Sequence, residues 1–149
     1  MGKKEYELWK KFDIYGYSAM VRVFRESPKN IKKYYEKNKP DIVIRELNRL
    51  EITCEKFRQR ISRIKINDYD KRFPVQIIKI LKTRVYNALT ELPIKTKRDL
   101  ESGKFRESLE YADEESTYMI ILKNEVYANY PGYKAYREMI TEEERKRYC

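Results

Sequence analysis

The sequence predicts an all-α protein, an antiparallel helical bundle of four main helices with short additional helices. Three observations predict it. Apolar residues recur three and four apart along most of the chain, the period of a helix with one buried face. Proline and Asn/Asp/Gly breaks divide that pattern into long stretches with mostly short connections, which suits antiparallel neighbours. Strand patterns bounded by turn chemistry are nearly absent.

The first helix is expected over residues 5–25. Leu8, Phe12, Tyr15, Ala19 and Val23 recur at helical spacing, and Trp9, Met20 and Phe24 widen the stripe. Gly16 within it costs about 1 kcal/mol relative to Ala and marks close packing or a kink. Ser27-Pro28 reads as a restart, since Ser caps and Pro fits a first helical turn. A short basic segment, 28–38, follows. Lys39-Pro40-Asp41 opens the second main helix, 41–66, where Ile44, Leu47, Leu50, Cys54, Phe57, Ile61 and Ile64 form a heptad-like seam. Asn67-Asp68 ends it. Phe73-Pro74 starts the third, with Ile78, Leu81, Val85, Leu89 and Leu92 on one face, and Leu92-Pro93 stops it. Residues 93–104 read as a polar connection with room for one helical turn. The fourth helix, 105–128, runs through Phe105, Leu109, Ala112, Met119, Ile120 and Val126 and includes a β-prone run at 118–122. Asn129-Tyr130-Pro131-Gly132 breaks it. Thr141-Glu142-Glu143-Glu144 has the form of a capping box and should open a short final helix.

The 149 residues suffice for one domain, 1–149, and are few for two. An apolar share of 41% is too high for a disordered tail. No apolar run approaches the ~20 residues of a membrane span. The start, Met1-Gly2-Lys3-Lys4-Glu5, lacks the apolar stretch of a secretory signal. An intracellular site is therefore expected, in a host cytoplasm or inside a particle assembled there. Only two glutamines stand beside abundant Lys, Glu, Ile and Tyr. That balance leans towards a thermophile, and AT-rich coding DNA would produce it too.

Several function classes lose their chemistry. There is no histidine, which removes the commonest general base and transition-metal ligand. Four glycines form neither GxxxxGK[ST] nor GxGxxG, so no phosphate cradle and no cofactor are expected. Cys54 sits on the apolar seam, where a small buried core residue is the simplest reading. Cys149 is the last residue, and a link between the two cysteines stays open.

The net charge of +10 is unevenly spread. Residues 1–40 carry +6, residues 41–100 carry +7 and residues 101–149 carry −3. A basic 1–100 with an acidic 101–149 favours a polyanionic or acidic partner. The leading candidate surface is a basic stripe of Arg45, Arg49, Lys56, Arg60 and Arg63, away from the apolar seam, with Arg58 and Lys65 adding to it. Lys29, Lys32, Lys33 and Lys37 crowd the preceding segment beside Tyr34 and Tyr35. Such residues suit phosphate contact with ring stacking. The plainer reading is a solvated face in which Glu46, Glu51 and Glu55 pair with the arginines. No zinc finger, RNP motif or clear helix-turn-helix supports sequence-specific readout.

Tyrosine is the second candidate. Of fourteen, Tyr127, Tyr130, Tyr133 and Tyr136 cluster around Pro131-Gly132. Together with Tyr34 and Tyr35, Tyr130 and Tyr133 are candidate contact aromatics, or a cover for the end of the bundle. The third is acidic: Asp68 and Asp70; Asp113, Glu114 and Glu115; Glu142, Glu143 and Glu144. Paired carboxylates can hold Mg²⁺ for a nuclease. The first pair reads equally as turn residues and the last run as favourable charge at a helix start, so no metal site is assigned.

The segment 6–16 resembles the start of a small helical virion protein of the bicaudaviruses, two-tailed archaeal viruses. The residues that carry the resemblance are Tyr6, Glu7, Lys10, Lys11, Asp13 and Gly16. It covers some twenty residues of the chain. It implies a helical-bundle structural protein, or a member of the paralogous branch that inhibits the host RNA polymerase by occupying its DNA-binding channel. This chain is poorer in Gly and Ala and more highly charged than the virion member, which tilts the expectation to the regulatory branch. The expected function is therefore a viral, non-enzymatic regulator that binds host RNA polymerase and blocks nucleic-acid access. The alternatives are a DNA-binding, coat-like virion protein and a metal-dependent nuclease.

Overall fold

The computed structural model of the protein describes residues 17–63, 75–129 and 134–139. Within them the chain is an all-α antiparallel bundle, and among the described residues there is no strand. Helix α1 spans Tyr17–Glu36 and α2 spans Pro40–Ser62. A short α3, Val75–Ile80, runs through a π-helical turn, Leu81–Val85, into α4, Tyr86–Ser102. Helix α5 spans Glu107–Asn129, and a short α6 covers 134–139.

Four rods close a ring. Helix α1 packs on α2 and α5, and α4 packs on the same two, so α2 and α5 stand diagonally across the bundle. Neighbours run antiparallel. The Tyr17 hydroxyl donates to the Met119 carbonyl at 2.6 Å at one end of the α1–α5 seam, while the Tyr35 and Phe105 rings meet at 5.1 Å at the other. Along α4–α5, Lys95 reaches Glu107 and Arg84 reaches Glu115.

The sequence expected a break at Ser27-Pro28, and the structure corrects it: Pro28 lies inside α1 and is buried. Met20, Val21, Phe24, Pro28 and Ile31 keep one face of the helix in the core, so the stripe carries across the proline. Burial of such side chains, about 1.5–3 kcal/mol each, outweighs a penalty of about 3 kcal/mol for interior proline. Of the stripe expected in this helix, Ala19 is exposed and Val23 half-buried. Leu8, Trp9, Phe12, Tyr15 and Gly16, with the segment that carries the family resemblance, lie outside the described residues. Helix α1 stops where Asn38 turns left-handed at φ 55°, a conformation Asn tolerates. Pro40 then starts α2.

In α2 the buried line is Val43, Leu50, Cys54, Phe57 and Ile61. Ile44, placed on the seam by its spacing, is 59% exposed, because Val43 one position earlier takes the inward direction. Leu47 is half-buried, and Ile64 lies outside the described residues. In the third rod Ile78, Leu81, Val85, Leu89 and Leu92 are all buried, as their spacing requires.

Pro93 does not stop that rod, and 93–104 is not a polar connection; helix α4 continues to Ser102. Pro93, Thr96 and Asp99 extend the buried face beyond Leu92. Pro93 lacks the N–H that would reach the Leu89 carbonyl, and Arg58 of α2 donates to that oxygen at 3.5 Å instead. Gly103 ends α4 at φ 74°, its N–H donating to the Asp99 carbonyl at 2.9 Å. Any side chain there would be strained, and a Cβ would come within 3.1 Å of the Tyr35 hydroxyl.

Asp99 is 3% exposed and joins the α4–α5 corner. Its carboxylate accepts from the Ser108 backbone N–H at 2.8 Å and the Ser108 hydroxyl at 2.6 Å, capping the start of α5 from the neighbouring helix. The run 118–122 is helical. The buried line of α5 begins with small residues, Ser108, Ala112 and Ser116, and ends with Met119, Leu122 and Val126, while Leu109 and Ile120 are half-buried. Tyr136 of α6 is buried against the same core. The helix expected from Thr141 lies outside the described residues.

Candidate functional site

At 100° per residue, Arg45, Arg49, Lys56, Arg60 and Arg63 fall within about 60° of one another around α2, opposite its buried line. All five are exposed. From Arg45 to Arg63 the stripe extends about 27 Å at 1.5 Å per residue. None of the ion pairs among the described residues engages Arg45, Arg49 or Lys56, so Glu46 and Glu51 do not neutralise them. Arg60 lies 5.9 Å from the Phe57 ring centroid. Arg58 departs from the stripe: it pairs with Glu55 and turns towards α4.

Helix α1 contributes a second set of cations, Arg22, Arg25, Lys29 and Lys33, all exposed. Arg22 and Arg25 escaped the sequence reading because they lie N-terminal to the expected Ser27-Pro28 break. The detectable signal was the spacing of three from Arg22 to Arg25 and four from Arg25 to Lys29, which only an unbroken helix makes meaningful. Arg22, Glu26, Asn30, Glu46 and Arg49 line a groove of about 270 Å³ between α1 and α2. It adjoins a hollow of about 490 Å³ on α1 lined by Ser18, Arg22, Arg25, Glu26, Lys29 and Asn30. Arg22 belongs to both, so the α1 and α2 cations form one continuous belt with Glu26 and Glu46 set into its middle.

The other proposed residues are placed differently. Lys32 pairs with Glu36 at 3.7 Å. Tyr34 packs half-buried against the core. Tyr35 keeps 42% exposure while its ring tilts against Phe105 at the α4–α5 corner. Tyr130, Tyr133 and Lys65 lie outside the described residues.

The α4–α5 side pairs several of its charges with one another. Arg84, carried on the π-helical turn, sits 3.5 Å over the Tyr118 ring and donates to Glu115 at 3.2 and 3.4 Å. That hydrogen bond from Arg84 to Glu115 holds the guanidinium still more firmly protonated. Lys95 and Arg98 both approach Glu107, and Arg106 pairs with Glu110. Burial, followed by the charges of Glu115 and Glu91, pushes the Tyr111 phenol up to about 12. Helix α5 carries six carboxylates against one lysine. Asp113 and Glu114 are exposed, whereas Glu115 is engaged by Arg84.

For chemistry, the Cys54 thiol is buried, and burial pushes it up to about 12, with Arg58 only partly opposing. It stays protonated at neutral pH, the state that does not attack an electrophile. Among the described residues no group of three or more His, Cys, Asp or Glu is placed to hold a metal ion; Asp68 and Asp70 lie outside them. No helix among the described residues is long and apolar enough to cross a membrane. Comparison with protein families, curated proteins and solved structures finds no match to this chain.

Proposed function

We propose that the protein is a non-enzymatic viral regulator that docks on the host RNA polymerase and blocks nucleic-acid access to it. The observation that carries this reading is the separation of charge across the bundle. Cations without described ion-pair partners lie on α1 and α2, and the carboxylate-rich α5 stands diagonally opposite α2. A channel that admits nucleic acid has basic walls. Helix α5 offers those walls negative charge as a nucleic acid does, with Asp113 and Glu114 exposed and Glu110 beside them shared with Arg106. The basic belt is then left for acidic rims of the channel or for nucleic acid itself. The resemblance of segment 6–16 to the bicaudavirus proteins supports the viral origin and the choice of polymerase.

The test is transcription by a purified archaeal RNA polymerase. Near-stoichiometric protein should stop initiation, and polymerase loaded with template beforehand should resist, because the channel is already filled. Charge reversal at Glu110, Asp113 and Glu114 should relieve inhibition. Undiminished transcription at a large excess of protein would sink the proposal, as would equal inhibition of loaded complexes.

A further inference from the structure

The belt of cations across α1 and α2 has a ligand chemistry of its own. Arg22, Arg25, Lys29, Arg45, Arg49 and Lys56 are exposed, and none takes part in an ion pair among the described residues. Elsewhere the same chain pairs some of its cations across helices, as Lys95 and Arg98 with Glu107. Exposed cations on two adjoining helices raise the positive potential of this face, and a polyanion lowers it while releasing its own counterions. We infer that this belt is a docking surface for the phosphate backbone of double-stranded DNA. The inference stands apart from the polymerase reading, since it uses neither α5 nor any polymerase.

A duplex is favoured over a single strand by what the belt lacks. Single strands are held by stacking bases on exposed rings. No ring lies among the residues lining the two hollows, and Tyr35 is turned to Phe105. DNA is favoured over duplex RNA by shape. The exposed ridge of α2 is a bare helix face, and the B-form major groove admits a helix, whereas the deep, narrow A-form groove does not. The cations of α1 then face phosphates along one edge of the groove, and Arg45, Arg49 and Lys56 stand on the ridge itself.

The experiment is fluorescence anisotropy of the full chain with a labelled DNA duplex of three helical turns, over a salt series from about 50 to 200 mM. Six phosphate contacts give a log–log salt slope of about −5, at about 0.9 per contact. The variant Arg22→Ala/Arg25→Ala/Arg45→Ala/Arg49→Ala should flatten that slope by about 3 to 4. The control Lys97→Ala/Arg98→Ala/Lys104→Ala/Arg106→Ala removes as much charge from the α4–α5 side and should leave the slope within about one unit of wild type. A second pair, Glu26→Gln/Glu46→Gln, removes the acids set into the belt and should tighten binding, which unfolding cannot mimic. The inference is overturned by absence of wild-type binding at the lowest salt, by equal weakening in the control, or by equal affinity for an RNA duplex or single strand. Because no polymerase is present, any of these outcomes leaves the transcription proposal to its own test.

Discussion

The two sides of the bundle spend their charged residues differently. On α4–α5, Arg84 reaches Glu115, Lys95 and Arg98 reach Glu107 and Arg106 reaches Glu110, while Lys97 and Lys104 take part in no ion pair among the described residues. Buried Asp99 caps α5 through Ser108. On α1–α2 the pairs Lys32–Glu36 and Arg58–Glu55 are local, and the belt cations form no ion pair among the described residues, although Glu26 and Glu46 line the same groove as Arg22 and Arg49. A cation that reaches a carboxylate on a neighbouring helix, as Arg84 and Lys95 do, fixes geometry, and one without an ion pair adds to the local positive potential. The contrast teaches that the cross-helix pairs of α4–α5 serve the fold, whereas the cations of the α1–α2 belt, like the outward Asp113 and Glu114 of α5, face partners outside it.

The largest effect that would break this comparison lies at Asp99. Asp99→Ala strands a buried N–H and hydroxyl of Ser108 and should cost about 3 kcal/mol in urea unfolding. Next comes alkaline pH. Cys54 and Tyr111 ordinarily titrate near 9 and 10, and both are pushed up to about 12 in the folded chain. Over that window the folded state binds more protons than the unfolded one, so stability is full below about pH 9 and falls as pH rises towards 12. Tyr111→Phe should shrink the fall measured by thermal unfolding across that range. Arg84→Ala loses the stack on Tyr118 and the pair with Glu115. With the guanidinium nearly half exposed, the loss should be about 0.5–1 kcal/mol in the same unfolding assay. Smallest of all, Arg45→Ala and Arg49→Ala should each shift stability by less than about 0.5 kcal/mol in either direction.

The bundle was legible wherever one period governs one face. The line Ile78 to Leu92 is buried as its spacing demands, and α2 and α5 lie close to their expected bounds. The misread helix boundaries came from prolines. Pro28 and Pro93 are strong breakers by local chemistry, yet each sits on a buried stripe that continues past it, and tertiary packing overrides the local cost. At Pro93 the compensating donor is Arg58, 35 positions earlier in the sequence and beyond the reach of any local pattern. The π-helical turn left no mark either, since its apolar line reads the same as an α-helical one. For the candidate surface, spacing alone identified the α2 stripe. Arg22 and Arg25 joined it only through the unbroken α1, and their meeting with Arg49 depends on how α1 packs against α2. Whether Glu46 and Glu51 would pair with the stripe was also undecidable from helical spacing, which permits the pairs without requiring them.

The most direct test of the division between the two sides is thermal unfolding of three chains with and without duplex DNA: wild type, the four-fold belt variant and Asp99→Ala. A ligand that binds only the folded state raises its melting temperature. The predicted result is that the belt variant melts with wild type alone and gains nothing from DNA, while Asp99→Ala melts lower and rises with DNA as wild type does. A belt variant that melts as low as Asp99→Ala, or one that still rises with DNA, would contradict the assignment of α1–α2 charge to binding.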